Sequence, residues 1–110
     1  MPTPKRELLP GTLEMLILKS LTVQAMHGYG IARYIERVSK EVLRVEEGSL
    51  YPALQRMRQK GWIKAEWGKT PNNQRARYYT ITADGRRQLG EEESGFAELL
   101  AGIGRVMRTS

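Results

Sequence analysis

Tyr51, Gln55, Arg56, Arg58, Gln59 and Lys60 crowd into ten residues of the chain. Gln and Arg are the side chains that hydrogen-bond adenine and guanine edges bidentately. A little further on, Lys64, Lys69, Arg75 and Arg77 surround the polar segment from Gly68 to Gln74. Four cations on such a tip can meet phosphates, where no base readout is needed. This is the chemistry of contact with a nucleic acid, not of bond making. The chain has no cysteine and a single histidine, His27. Thiol catalysis, iron–sulfur clusters and cysteine-based zinc sites are therefore excluded, and one His cannot hold a metal without several carboxylates around it. Glu91, Glu92 and Glu93 read as a solvated acidic face. No nucleophile–base pair or metal constellation is visible, so neither an enzyme nor a cofactor is expected.

The balance of charge agrees. The chain has 110 residues and a formal net charge of +6. Residues 1–87 hold 16 basic against 8 acidic side chains, and residues 88–110 hold 2 against 4. The positive charge thus belongs to the first four-fifths, and its expected partner is nucleic acid rather than membrane. At 40% hydrophobic and 27% charged residues the mix is that of one globular domain. No apolar run is long enough to span a bilayer, and the first ten residues show no secretory pattern, so the expected location is the cytoplasm.

The elements that must position these side chains follow from periodicity. Pro2, Pro4 and Pro10 suggest an extended arm. Thr12 reads as the N-cap of a short helix over 13–22, with Leu13, Leu16, Ile17 and Leu21 at helical spacing. A second helix over 28–39 turns Ile31, Ile35 and Val38 inward and Arg33, Glu36 and Arg37 outward. Gly28 and Gly30 at its start permit close approach of a neighbouring helix or a phosphate. His27 before them reads as a helix-start residue bonding its own turn. The third helix, over 49–60, buries Leu50, Ala53, Leu54 and Met57, carries Pro52 in its first turn and stops at Gly61. Period-two alternation then marks strands at 62–67 and 75–82, a hairpin with a basic tip. One of Tyr78 and Tyr79 must face the core, and Trp62 and Trp67 are expected in the core or at a subunit contact. Tyr29 suits core packing and phosphate contact equally.

Thr82 caps a last helix over 83–107. Leu89, Phe96, Leu99, Leu100, Ile103, Val106 and Met107 form a seam near heptad spacing. Its glycines weaken it, so it needs packing against something. Three helices, a basic hairpin and a long helix make a mainly α fold with a small β-hairpin. The expected architecture is a winged helix-turn-helix over residues 1–82 and a C-terminal dimerisation helix over 83–110. The third helix of such a motif lies in the major groove and the wing reaches the flanking backbone.

Five stretches also resemble the PadR family of transcriptional regulators: Gly11 to Leu18, His27 to Ile31, Glu47 to Leu54, Gly61 to Ile63 and Arg77 to Thr82. The resemblance runs from about residue 8 to 107 and looks like the short subgroup with a single C-terminal helix. It implies a homodimeric repressor that leaves a two-fold symmetric duplex operator when a small molecule binds. It places Tyr29, Ser49, Tyr51 and Pro52 on DNA-facing motifs and Arg77 and Tyr78 on the wing. Together with Gln55, Arg56, Lys64, Lys69 and Arg75 these are the expected DNA contacts. The sequence departs from the family at Val23 to Met26, where a Gly-Pro turn is common. A flat, apolar effector would find its lining in Phe96, Leu99 and Ile103, with Trp62 or Met15 from the body. A winged-helix module that binds protein is the competing reading; it predicts weak salt dependence and no shift of duplex DNA.

Overall fold

The computed structural model describes residues 6–7 and 11–109; the expected arm at Pro2, Pro4 and Pro10 lies outside them. The elements run β1 (Arg6–Glu7), α1 (Thr12–Leu21), β2 (Met26–His27), α2 (Gly28–Val38), β3 (Leu43–Arg44), α3 (Glu47–Gln59), β4 (Ile63–Lys69), β5 (Arg75–Ile81) and α4 (Ala83–Met107). β4 and β5 form the antiparallel hairpin, and β2 joins it on the β5 side to make a three-stranded sheet. β1 and β3 pair in parallel as a separate short ribbon. This is a winged helix-turn-helix followed by a long helix.

One core joins these pieces. Ile17 and Leu18 of α1, Ile31 of α2 and Leu50, Ala53, Leu54 and Met57 of α3 are almost wholly excluded from water. Ile63 and Tyr79 close it from the sheet, and Leu89 from α4. The inner stripe expected of the third helix is thus the one observed.

The connections hold α3 in place. Its end is a Schellman turn: Gly61 has φ of 78°, its N–H donates to the Arg58 carbonyl, and the Trp62 N–H donates to that of Met57. The Thr82 hydroxyl donates to the Gly61 carbonyl at 2.6 Å and accepts from the Gly85 N–H at 3.0 Å. One side chain therefore links the exit of α3 to the start of α4. At the other end Glu36 is buried, and its carboxylate accepts the Val45 N–H at 3.1 Å. That bond secures the turn that leads into α3.

The structure departs from the sequence pattern at several places. Thr12 is the first residue of α1, not its cap; Gly11 caps it in a left-handed conformation. α3 begins two residues earlier than expected, at Glu47, so Pro52 stands inside it. Val38 is exposed and Glu36 is buried, the reverse of the expected faces, because Glu36 supplies the acceptor that the Val45 backbone needs. The two-residue β2 was not expected at all. Leu89 was expected in a subunit seam but is buried in the chain's own core.

Candidate nucleic-acid interface

The site begins with the start of α2. His27 is its N-cap, and its Nδ1 accepts the Gly30 N–H at 3.0 Å. The imidazole also meets the ring of Tyr78 edge-on, at 5.4 Å between centroids. Tyr29, one residue into the helix, is 63% exposed. The structure thereby resolves the choice between core and surface for this residue in favour of the surface.

Next to it stands Tyr51 of α3. A Cβ added at Gly28 would lie 2.8 Å from Tyr51 Cε1 and 2.9 Å from its hydroxyl oxygen. The Tyr51 ring is therefore seated on bare backbone at the start of α2. Burial first, then the nearby Glu47 carboxylate and Tyr79, hold its phenol above the ordinary value of 10.0. The hydroxyl keeps its proton and remains a donor, which is what contact with an anion requires.

The wing supplies the opposite wall. Register pairs Ala65 with Tyr79, Trp67 with Arg77 and Lys69 with Arg75, all on one face of the hairpin. Near the body that face is core; beyond it, Trp67 is 56% exposed and the cations follow. On the other face, Tyr78 packs over Gly68, and its hydroxyl donates to the Lys69 carbonyl at 3.0 Å. Tyr29, Tyr51, Arg33, Trp67, Arg75 and Arg77 line one groove of about 900 Å³. A second groove of about 600 Å³ runs between α3 and β4, lined by Gln55, Arg58, Gln59, Lys64 and Glu66.

Residues 51, 55 and 58 share a stripe of α3, four and three residues apart. Tyr51, Gln55 and Arg58 are all exposed, as are Ser49, Pro52, Lys64 and Lys69. Arg56 lies apart from that stripe. Its Nη2 donates to Glu14 of α1 at 3.1 Å and its Nε at 3.4 Å. The expected base contact is thus tied to a neighbouring helix. Arg33 and Trp67 were not among the expected contacts, and Arg58 was noted on the third helix without being assigned one, yet all three line the grooves. Arg58 was legible from helical spacing to Tyr51. Trp67 was not, since alternation assigned it to the core face without saying where the core ends.

The profile of the transcriptional regulator PadR-like family matches residues 17–91. The chain belongs to the PadR-like family of transcriptional regulators. It is 27% identical over 95 residues to an uncharacterised protein of Lysinibacillus sphaericus, which covers 86% of this chain and 87% of that one. Among solved structures it resembles a transcriptional regulator from Clostridium thermocellum, with a TM-score of 0.79, 26% identity and coverage of 86% of this chain and 92% of that one. It also resembles a PadR family regulator from Eggerthella lenta, with a TM-score of 0.77, 29% identity and coverage of 91% and 85%. Membership implies regulation through DNA binding. No helix among the described residues is long and apolar enough to cross a membrane.

In this PadR-like chain, α4 divides into two halves. Gly85 and Leu89 are buried against the body. Leu99, Leu100, Ile103, Val106 and Met107 are about half to three-quarters exposed, an apolar stripe that the described residues leave largely open. Between α1 and α4 lies a groove of about 270 Å³, lined by Met15, Leu16, Lys19, Leu89, Glu93, Phe96, Ala97 and Leu100. Of the expected effector contacts, Met15 and Phe96 meet there. Trp62 does not; it packs on the core, with the Lys60 ammonium 4.6 Å from its ring centroid. Leu99 and Ile103 lie on the exposed stripe rather than in this groove.

Proposed function

We propose that this regulator is a homodimeric repressor that binds a two-fold symmetric duplex operator and releases it when a small, flat, apolar molecule binds. Residues 1–82 act as the DNA-binding unit and residues 83–110 as the dimerisation helix. The observation that carries the reading is the single groove shared by the start of α2, the start of α3 and the wing. Three donors of cationic character and three exposed aromatic rings meet on it.

In this reading α3 enters the major groove. Gln55 reads base edges, with Arg58 and Gln59 beside it, and Tyr51 gives its hydroxyl to a phosphate at the lip of the groove. Tyr29, Ser49 and Pro52 border the same backbone. Lys64, Lys69, Arg75 and Arg77 engage flanking phosphates from the wing, while Tyr78 stiffens the hairpin from its far face. Arg56 acts through Glu14, fixing α3 against α1.

The exposed stripe from Leu99 to Met107 supports dimerisation. Full burial of one such side chain contributes about 1.5–3 kcal/mol, so five of them can offset the cost of association. Two α3 helices would then stand about one DNA turn apart, on the order of 34 Å. The effector occupies the groove of Met15, Leu16, Phe96 and Leu100, where it can bias the angle between α4 and the body. It releases DNA by preferring the spacing that does not fit the operator. Selection from randomised duplexes with the purified protein tests the core of the proposal. Enrichment of a two-fold symmetric site supports it, and failure to enrich any duplex overturns it. A panel of planar aromatic compounds, scored by release of the selected site, tests the effector.

A further inference from the structure

Trp67 has an environment that neither a core residue nor a simple surface residue would have. It stands past the end of the core face of the hairpin and is 56% exposed. Two guanidinium groups lie over its ring, with the Arg75 carbon 4.3 Å and the Arg77 carbon 5.1 Å from the centroid. Arg77 is its direct cross-strand partner, and Arg75 is opposite the next residue but one, Lys69. Lys69 and Arg75 are therefore like charges facing each other across a ladder, an arrangement that by itself pushes side chains apart. No acidic partner for Arg75 or Arg77 is found among the described salt bridges, which involve Arg33, Arg44, Arg56 and Arg87. Among the described residues the indole is thus the group that gathers these two cations on the groove side.

We propose that Trp67 is a positioning residue for DNA binding: its indole preorganises Arg75 and Arg77 along the wing so that both meet the phosphate backbone together. The proposal rests on the wing meeting DNA, as set out above. The physical basis is the electrostatic attraction between a cation and an aromatic face, strongest for Trp among the ring residues. Guanidinium is weakly hydrated and planar, so it can remain on the ring while its N–H edge donates to a phosphate. An arginine held this way has less rotamer freedom to lose on binding, and preorganisation of that kind raises affinity without adding a contact. Charge is unchanged if the indole is removed. The loss should therefore fall on affinity and leave the number of phosphates neutralised nearly as it was.

The test is a double-mutant cycle read by DNA affinity and by its salt dependence. Its variants are Trp67→Leu, Trp67→Tyr, the doubly substituted Arg75→Gln/Arg77→Gln, and that pair combined with Trp67→Leu. Wild-type binding to duplex DNA is the control for the functional reading itself; with no wild-type binding, that reading and this inference both fall. Given binding, Trp67→Leu should weaken affinity about fivefold or more at an unchanged salt slope, and Trp67→Tyr should recover much of it. In the arginine-free background Trp67→Leu should have no further effect, because its partners are already gone. A full loss in that background would make the indole a direct contact and overturn the positioning role, as would unchanged affinity in Trp67→Leu. Side-chain NMR separates these outcomes from misfolding. Ring-current shifts of the Arg75 and Arg77 Nε–H signals should be present in the wild type without DNA and absent in Trp67→Leu, with the amide spectrum of the rest of the chain preserved. Arginine signals at unshifted positions in the free wild type would also refute the proposal.

Discussion

Substituting Gly28 by Ala isolates one contact at the centre of the candidate interface. The added methyl would lie 2.8 Å from Tyr51 Cε1, 2.9 Å from its hydroxyl oxygen and 3.1 Å from Cζ. Ordinary carbon contacts lie near 3.5–4.0 Å, so the ring must move by about 0.7 Å or more. It can move, since Tyr51 is 47% exposed and its ring has open groove on one side. The cost in stability is therefore modest, about 1 kcal/mol or less, and is partly offset by the helix propensity gained at the first residue of α2. The cost in binding is larger. A hydrogen bond to a charged group contributes about 1.5–3 kcal/mol, so losing the Tyr51 donor lowers DNA affinity by roughly 10- to 100-fold per subunit engaged. Chemical denaturation and DNA titration on the same preparation measure both quantities. Tyr51→Phe, which keeps the ring and removes the hydroxyl, should give a similar loss of affinity with the fold intact. Wild-type affinity in Gly28→Ala with Tyr51 demonstrably displaced would refute the role given to this tyrosine. A stability loss above about 3 kcal/mol would refute the freedom given to its ring.

Other substitutions separate the remaining parts. Ile103→Asp on the exposed stripe should leave the monomer fold unchanged and weaken self-association by roughly 100-fold or more, since it places a charge in an apolar seam; sedimentation showing an intact dimer would move the interface elsewhere. Arg75→Ala should lower the slope of log affinity against log salt by about 0.9 per wing engaged and leave sequence preference alone. Arg56→Ala should cost stability of about 1 kcal/mol, because Glu14, only 16% exposed, loses its partner; selective loss of the specific site over random DNA would return Arg56 to base reading. Gly85→Ala should destabilise by about 3 kcal/mol or more in thermal unfolding, because its methyl would come within 2.1 Å of the Trp62 carbonyl oxygen, a backbone atom that cannot swing away.

The contrast between Arg56 and Tyr51 explains which parts of this molecule could be read without coordinates. Local rules carried the helices. The stripe of Leu50, Ala53, Leu54 and Met57 and the glycine stop at Gly61 depend on neighbours within one turn, and both are where periodicity put them. The Thr82 cap is local as well, and α4 spans the expected 83–107. Long-range pairings were not legible. Arg56 meets a carboxylate 42 residues away, and Glu36 turns inward to serve a backbone N–H nine residues on. The two-residue β2 exists only because it has β5 to bond to, and a strand of that length leaves no period to detect.

Leu89 and Trp67 show the same limit from opposite sides. Each has the residue type and spacing of a buried position. Leu89 was placed in a seam between subunits and is covered by its own chain; Trp67 was placed in a core or a subunit contact, and its own chain leaves it half in water, which excludes the core alone. Periodicity reports which face a side chain occupies, not how far along the element that face is covered. The body of the domain covers α4 as far as Phe96, beside α1, and the first residues of β4, then ends. What continues past it is an apolar stripe on α4 and an indole flanked by arginines on the wing. Those two uncovered extensions differ in charge as well as place. The first suits another apolar surface, such as a second copy of α4. The second, with two cations drawn over its ring, suits a polyanion. An element that outruns its own core can thus present a partner surface, and the side chains that accompany it decide which kind.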